Sequence, residues 1–124
     1  MTSIPHDLLS CYFIIVLLIS PIICQTPPGR PVITITPAAA MAGTSATVTC
    51  TSVGGDPAPT VKISRNGVLV SDDAATDDDI TVNNYEFTVQ YSDHYAIFEC
   101  SVDNGVLQSP LTETEYFIVS KAEL

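Results

Sequence analysis

Cys50 and Cys100 are the residues of this chain whose type and position most clearly define a chemistry, the formation of a disulfide. Each stands in an alternating stretch rich in β-branched residues, so it faces the same side of a strand as the apolar residues two positions away. Two strands with inward cysteines indicate a sandwich of two sheets that is pinned through its core. Such a bond requires an oxidising compartment, which is typical of an extracellular binding module.

Side chains suited to catalysis are few. Ser92-Asp93-His94 contains a hydroxyl, a carboxylate and an imidazole, but adjacent residues on a turn cannot adopt the geometry of a catalytic triad. The chain has two histidines, His6 and His94, whereas a zinc or copper site needs several histidine or thiolate ligands. We therefore expect no catalytic residue, no metal site, no cofactor and no enzymatic activity.

An acidic stretch, Asp72-Asp73 and Asp77-Asp78-Asp79, is the strongest charge feature. Clustered carboxylates can bind calcium, but this stretch lacks the regular ligand spacing of a calcium loop. A hydrated loop is therefore the favoured interpretation. The net charge of the whole chain is −10, which argues against nucleic acid, heparin-like glycans and anionic membranes as partners.

The N-terminal apolar run from Cys11 to Ile19 predicts a secretory signal peptide. It is too short to span a bilayer, which takes about 20 apolar residues. We expect cleavage after Cys24, which leaves no membrane span; the alternative is an uncleaved anchor. Because cleavage also removes Cys11 and Cys24, Cys50 and Cys100 are then left to pair with each other.

This cleavage divides the chain into a signal peptide (1–24), an extended leader (25–30), one folded domain (31–120) and a short tail (121–124). In the domain, alternating apolar residues predict about eight strands, separated by turn residues and with no helical period. They are expected at 32–36, around Cys50, at 61–65, 68–70, 80–82 and 85–91, around Cys100, and at 113–119. Asn83-Asn84 is expected to be a turn and 71–79 a loop. The pattern predicts an all-β, two-sheet antiparallel sandwich.

Three local patterns are similar to those of an immunoglobulin-like domain of the I-set or C2 type. They are the run Gly55-Asp56-Pro57-Ala58-Pro59 before the third strand, the Asn66-Gly67 hairpin, and Ala96-Ile97-Phe98-Glu99-Cys100. The resemblance covers residues 31–120. It implies an immunoglobulin-like sandwich with a disulfide between Cys50 and Cys100.

Three positions depart from the pattern of that family. Ile63 stands where the family has a core tryptophan, and Phe98 stands where it has a tyrosine. The usual acidic position is occupied by His94, and Asp93 lies one residue earlier. Ile63 and Phe98 keep their positions apolar, so we expect both side chains to face the core and Ile63 to be buried against the disulfide.

The outward side of the last two strands is the candidate binding surface. If Phe98 and Cys100 face the core, Tyr95 and Ile97 face solvent. The closing strand is apolar on both faces, so one of its alternating pairs must also lie outside, and we expect Tyr116 and Ile118. An apolar patch of these four residues would mark a partner surface. Scattered surface apolar residues are the alternative.

These patterns predict a secreted immunoglobulin-like module that binds an extracellular protein, or a second copy of itself. One alternative is the N-terminal part of a longer adhesion molecule or receptor. Another is a secreted inhibitor or effector that blocks a partner. The C-terminal Lys121-Ala122-Glu123-Leu124 is similar to an ER-retrieval signal apart from Ala122, which makes the ER lumen, like the cell surface, an alternative location.

Overall fold

The computed structural model describes residues 25–121, so the predicted signal peptide and the last three residues lie outside the described part. Within that part there are ten strands and one turn of 3₁₀ helix, Tyr91–Asp93. The strands are β1 (Val32–Thr36), β2 (Ala39–Met41), β3 (Ser45–Val53), β4 (Thr60–Arg65), β5 (Val68–Ser71), β6 (Ala74–Asp77), β7 (Ile80–Thr88), β8 (Ile97–Asp103), β9 (Leu111–Tyr116) and β10 (Ile118–Ser120). No helix in residues 25–121 is long and apolar enough to cross a membrane.

The strands form two four-stranded antiparallel sheets packed face to face, which confirms the predicted sandwich. One sheet has the order β1-β3-β7-β6 and the other the order β5-β4-β8-β9. A third pairing, between β2 and β10, is parallel. The sequence pattern missed this pairing because β2 lies in a segment that reads as a break between strands.

The core lies between the two sheets and follows the alternation of β3 and β8. Cys50 on β3 is bonded to Cys100 on β8, with their Cα atoms 6.0 Å apart. Ile63 on β4 lies directly opposite Cys100 in the antiparallel register and, like Phe98, is completely buried. Ile63 therefore fills the position beside the disulfide with an aliphatic side chain.

β7 runs without interruption through Asn83, so the predicted turn at Asn83-Asn84 is wrong. Asn83 faces the core and is fully buried. Its amide donates to the backbone oxygens of Val61 (2.8 Å) and Ser71 (3.1 Å), and its oxygen accepts from the Ser71 hydroxyl (2.7 Å). Because its polar atoms have partners on the facing sheet, a residue typical of turns is accommodated inside a strand.

Two further boundaries differ from the prediction. Part of the expected acidic loop, Ala74–Asp77, is strand β6, which pairs with β7 at the edge of its sheet. The expected strand 113–119 is divided at Phe117, which turns into the core. The backbone of Phe117 donates to the Ala96 oxygen (3.0 Å) and accepts from the Tyr95 N–H (2.7 Å), after which β10 pairs with β2.

We predict that Ile63→Ala lowers the free energy of unfolding by about 2–5 kcal/mol, because it leaves a cavity beside the disulfide. Ile80→Ala is the matched control, since Ile80 is 43% exposed at the end of β7. It should cost less than about 1 kcal/mol. Chemical denaturation of both variants tests this, and equal losses would contradict the assigned register of β4.

Candidate functional site

The alternation of β8 and the residues before it exposes one set of side chains. Ala96, Phe98 and Cys100 are buried, whereas Tyr95 is 65% exposed and Ile97 is 52% exposed. Large apolar side chains at such exposure are not part of the core. They are available for contact with another molecule.

β9 brings a third apolar side chain to the same place. Ile97 pairs with Tyr116, so both project from the same face of the sheet, and Tyr116 is 54% exposed. The ring centroids of Tyr95 and Tyr116 are 6.1 Å apart and tilted by 53°. Together with Thr114 and Glu115, these residues line an open concavity of about 500 Å³.

We call this surface the tyrosine face, defined by Tyr95, Ile97, Thr114, Glu115 and Tyr116. Three of the four residues predicted for the binding surface lie in it. The fourth, Ile118, is 37% exposed but stands on β10, beyond the buried Phe117, and does not line the concavity.

Sequence reasoning missed Thr114 and Glu115. Thr114 could have been found, because it lies two positions before Tyr116 and therefore projects from the same face of the strand. Glu115 alternates to the other side of β9. It joins the concavity at the edge of the sheet, where its Oε1 accepts a hydrogen bond from the Tyr116 N–H at 3.1 Å.

Tyr95 has a backbone conformation that is uncommon for a tyrosine, with φ at +61°. The left-handed region costs an L-residue about 1–2 kcal/mol, so the surroundings must hold it there. The Tyr95 N–H donates to the Phe117 oxygen at 2.7 Å, and the N–H of Ala96 donates to the Asp93 oxygen at 2.9 Å. The His94 ring packs against the tyrosine ring at 4.1 Å between centroids.

An ion pair formed by the buried Asp93 anchors the 3₁₀ turn that precedes Tyr95. Asp93 is 6% exposed and pairs with the Arg65 guanidinium at 2.6 Å. Its second oxygen accepts from the Gln90 N–H at 2.8 Å, and Arg65 also donates to the Ser92 oxygen at 3.3 Å. Although Asp93 precedes the usual acidic position by one residue, it still pairs with a cation, Arg65 at the end of β4.

The carboxylate and the imidazole of the Ser-Asp-His run bind to different parts of the domain. Asp93 pairs with Arg65, whereas His94 Nδ1 accepts a hydrogen bond from the Val119 N–H at 3.1 Å. His94 and Asp93 therefore stabilise two separate elements, β10 and the 3₁₀ turn. This arrangement differs from that of a catalytic triad, in which the carboxylate orients the imidazole.

The aspartates of the acidic stretch are distributed over two ends of β6. Asp72 and Asp73 precede the strand, and Asp78 and Asp79 form the turn after it. In residues 25–121, no group of three or more His, Cys, Asp or Glu side chains is placed to hold a metal ion.

A family profile of the CD80-like C2-set immunoglobulin domain matches residues 30–110. The chain therefore belongs to the C2-set immunoglobulin domain family. No curated protein matches the sequence.

Solved structures show the same fold. The ectodomain Ig1–Ig3 of mouse nectin-like molecule 4 superposes with a TM-score of 0.69 at 17% identity, covering 77% of this chain and 35% of that chain. The structure titled Rst D1-D2 gives a TM-score of 0.66 at 20% identity, covering 77% of this chain and 51% of the other. The chain thus spans less than two thirds of either structure, and at these identities the similarity concerns the fold.

We predict that Asp93→Ala lowers the free energy of unfolding by about 2–3 kcal/mol, because it leaves the half-buried Arg65 without its counter-ion. This value is below that of a fully buried pair, since the Arg65 side chain is 29% exposed. Asp72→Ala is the matched control and should change stability by less than about 0.5 kcal/mol. Thermal or chemical denaturation measures both, and an unchanged Asp93→Ala would contradict the anchoring role of the pair.

Proposed function

We propose that this domain is an extracellular recognition module that binds another protein through the tyrosine face. The observation that carries the proposal is the meeting of Tyr95, Ile97 and Tyr116 in one open concavity, each more than half exposed. Exposed apolar side chains that are contiguous are typical of partner surfaces, whereas single ones are not.

The chemistry of the tyrosine face supports a protein partner. Tyrosine is enriched at binding hot spots because it offers a large apolar ring and a polar hydroxyl. The left-handed conformation of Tyr95 is held by main-chain bonds to Phe117 and across the turn, so the ring is positioned before any partner arrives. Such preorganisation reduces the entropy that binding must overcome. A catalytic role has no comparable support from the arrangement of Ser92, Asp93 and His94.

The extracellular location rests on two features. The Cys50–Cys100 disulfide is typical of oxidising compartments, and the apolar run from Cys11 to Ile19 is typical of a secretory signal. We propose that residues 1–24 are removed, with 25–30 as leader, 31–120 as the domain and 121–124 as a tail. A place in a longer ectodomain is the second candidate, favoured by the solved structures, of which this chain spans 35% and 51%.

N-terminal sequencing of the protein recovered from conditioned medium tests secretion with cleavage. The sequence should begin at Gln25, and retention of Met1 would contradict the proposed cleavage.

A capture experiment with matched variants tests the binding surface. The immobilised domain is compared with Tyr95→Ser/Tyr116→Ser for capture of extracellular proteins. The double variant should bind more than about tenfold more weakly, the loss typical of a hot spot.

Two controls accompany that variant. Tyr91→Ser removes a tyrosine that is 75% exposed but lies outside the tyrosine face, and it should bind like wild type. The triple variant Asp77→Asn/Asp78→Asn/Asp79→Asn should mainly change the salt dependence of association. Loss of binding in the aspartate variant with full binding in the tyrosine variant would place the interface at the acidic turn. Circular dichroism verifies that every variant is folded.

A further inference from the structure

The concavity of the tyrosine face combines aromatic walls with one carboxylate. Tyr95 and Tyr116 present two tilted rings 6.1 Å apart. Glu115 is the acidic residue among the five that line the space. The face of an aromatic ring attracts a cation through its quadrupole, and a carboxylate attracts it by charge.

The charge of Glu115 is not neutralised within the described part of the chain. The two ion pairs found in residues 25–121 join Arg30 to Glu113 and Arg65 to Asp93. The Glu115 carboxylate accepts a hydrogen bond from the main-chain N–H of Tyr116, which occupies one of its acceptor positions and leaves the others free for a ligand. Glu99, which is paired with Thr114 in the register, adds a second carboxylate one row along the same face.

We propose that the concavity receives an arginine side chain of the partner protein, with the guanidinium stacked on the tyrosines and paired with Glu115. Arginine fits better than lysine because its planar guanidinium both stacks on aromatic rings and binds carboxylates through two donors. This proposal rests on the proposed function, and it names the chemistry of the group that the partner inserts.

A second copy of this chain is a poor source of that side chain. The chain has four Lys and Arg residues against fourteen acidic ones. Both arginines, Arg30 and Arg65, are engaged with carboxylates of their own domain. Lys62 lies on the outer face of the same sheet, opposite Ser101, but it lacks the planar group. The net charge of −10 also favours a more basic partner over self-association.

An NMR titration tests whether the concavity binds an arginine side chain, and it does not require that the partner be known. The ¹⁵N-labelled domain is titrated with N-acetylarginine amide, and with the uncharged citrulline and norleucine analogues as matched compounds. The arginine compound should shift the amides of Ile97, Glu115 and Tyr116 with a Kd on the order of 1 mM, as expected for a ligand of this size. The citrulline and norleucine compounds should bind several-fold more weakly.

Two pairs of variants test the residues. Glu115→Gln should weaken arginine binding roughly threefold, the value for an exposed ion pair, whereas Glu86→Gln, an equal charge change on the opposite sheet, should have no effect. Tyr116→Leu should weaken it roughly threefold through loss of the cation–π contact, and Tyr91→Leu should not.

Three outcomes would overturn the inference. They are equal binding of norleucine and arginine, an unchanged affinity in Glu115→Gln, and the absence of shifts with every compound. Each leaves the proposed function standing if Tyr95→Ser/Tyr116→Ser still weakens capture of the partner by more than about tenfold. Conversely, the wild-type domain could bind the arginine compound at the concavity while the double variant captures the partner normally. That result would refute the proposed function, and the concavity would remain a binding site for arginine only.

Discussion

The disulfide between Cys50 and Cys100 fixes which side of β8 faces the core, and the candidate site depends on that choice. Side chains alternate along a strand, so a register shift of one residue would exchange the inward and outward sets completely. With Cys100 held against Cys50 and opposite Ile63, Phe98 must be buried and Ile97 must be exposed. The tyrosine face therefore includes the outer side of the same strand that carries the covalent link.

A second set of interactions extends this control beyond the strand. The pair of the buried Asp93 with Arg65 holds the 3₁₀ turn, and Phe117 binds the main chain of Tyr95 and Ala96. These contacts come from two elements and converge on one residue, Tyr95, whose left-handed backbone would otherwise relax. The strain is thus maintained by the packing of the domain, and it projects the ring toward Tyr116. The contacts that stabilise the domain therefore also preorganise the tyrosine face.

The sequence predicted the parts of this fold that depend on local alternation. Ile63 and Phe98 were expected in the core, and the two-residue period placed Tyr95, Ile97 and Tyr116 outward. The sequence alone does not predict features that are set by contacts between distant segments. Asn83, for example, is tolerated in β7 because Val61 and Ser71 form hydrogen bonds with its side-chain amide. Likewise, β6 and β2 have no alternating pattern, since short edge strands are defined by backbone pairing with a neighbour. The sequence groups Ile118 with Tyr116 because the break between β9 and β10 at Phe117 leaves no signal in the alternation.

We propose that a partner contacts the outer side of β8 and β9. Cross-saturation NMR tests it most directly, since saturating the captured, protonated partner attenuates those amides of a deuterated domain that lie at the interface. We expect attenuation to be concentrated at Tyr95, Ile97, Thr114, Glu115 and Tyr116. Attenuation confined to the turns at 54–59, 72–73, 78–79 or 104–110, with these five amides unaffected, would contradict it.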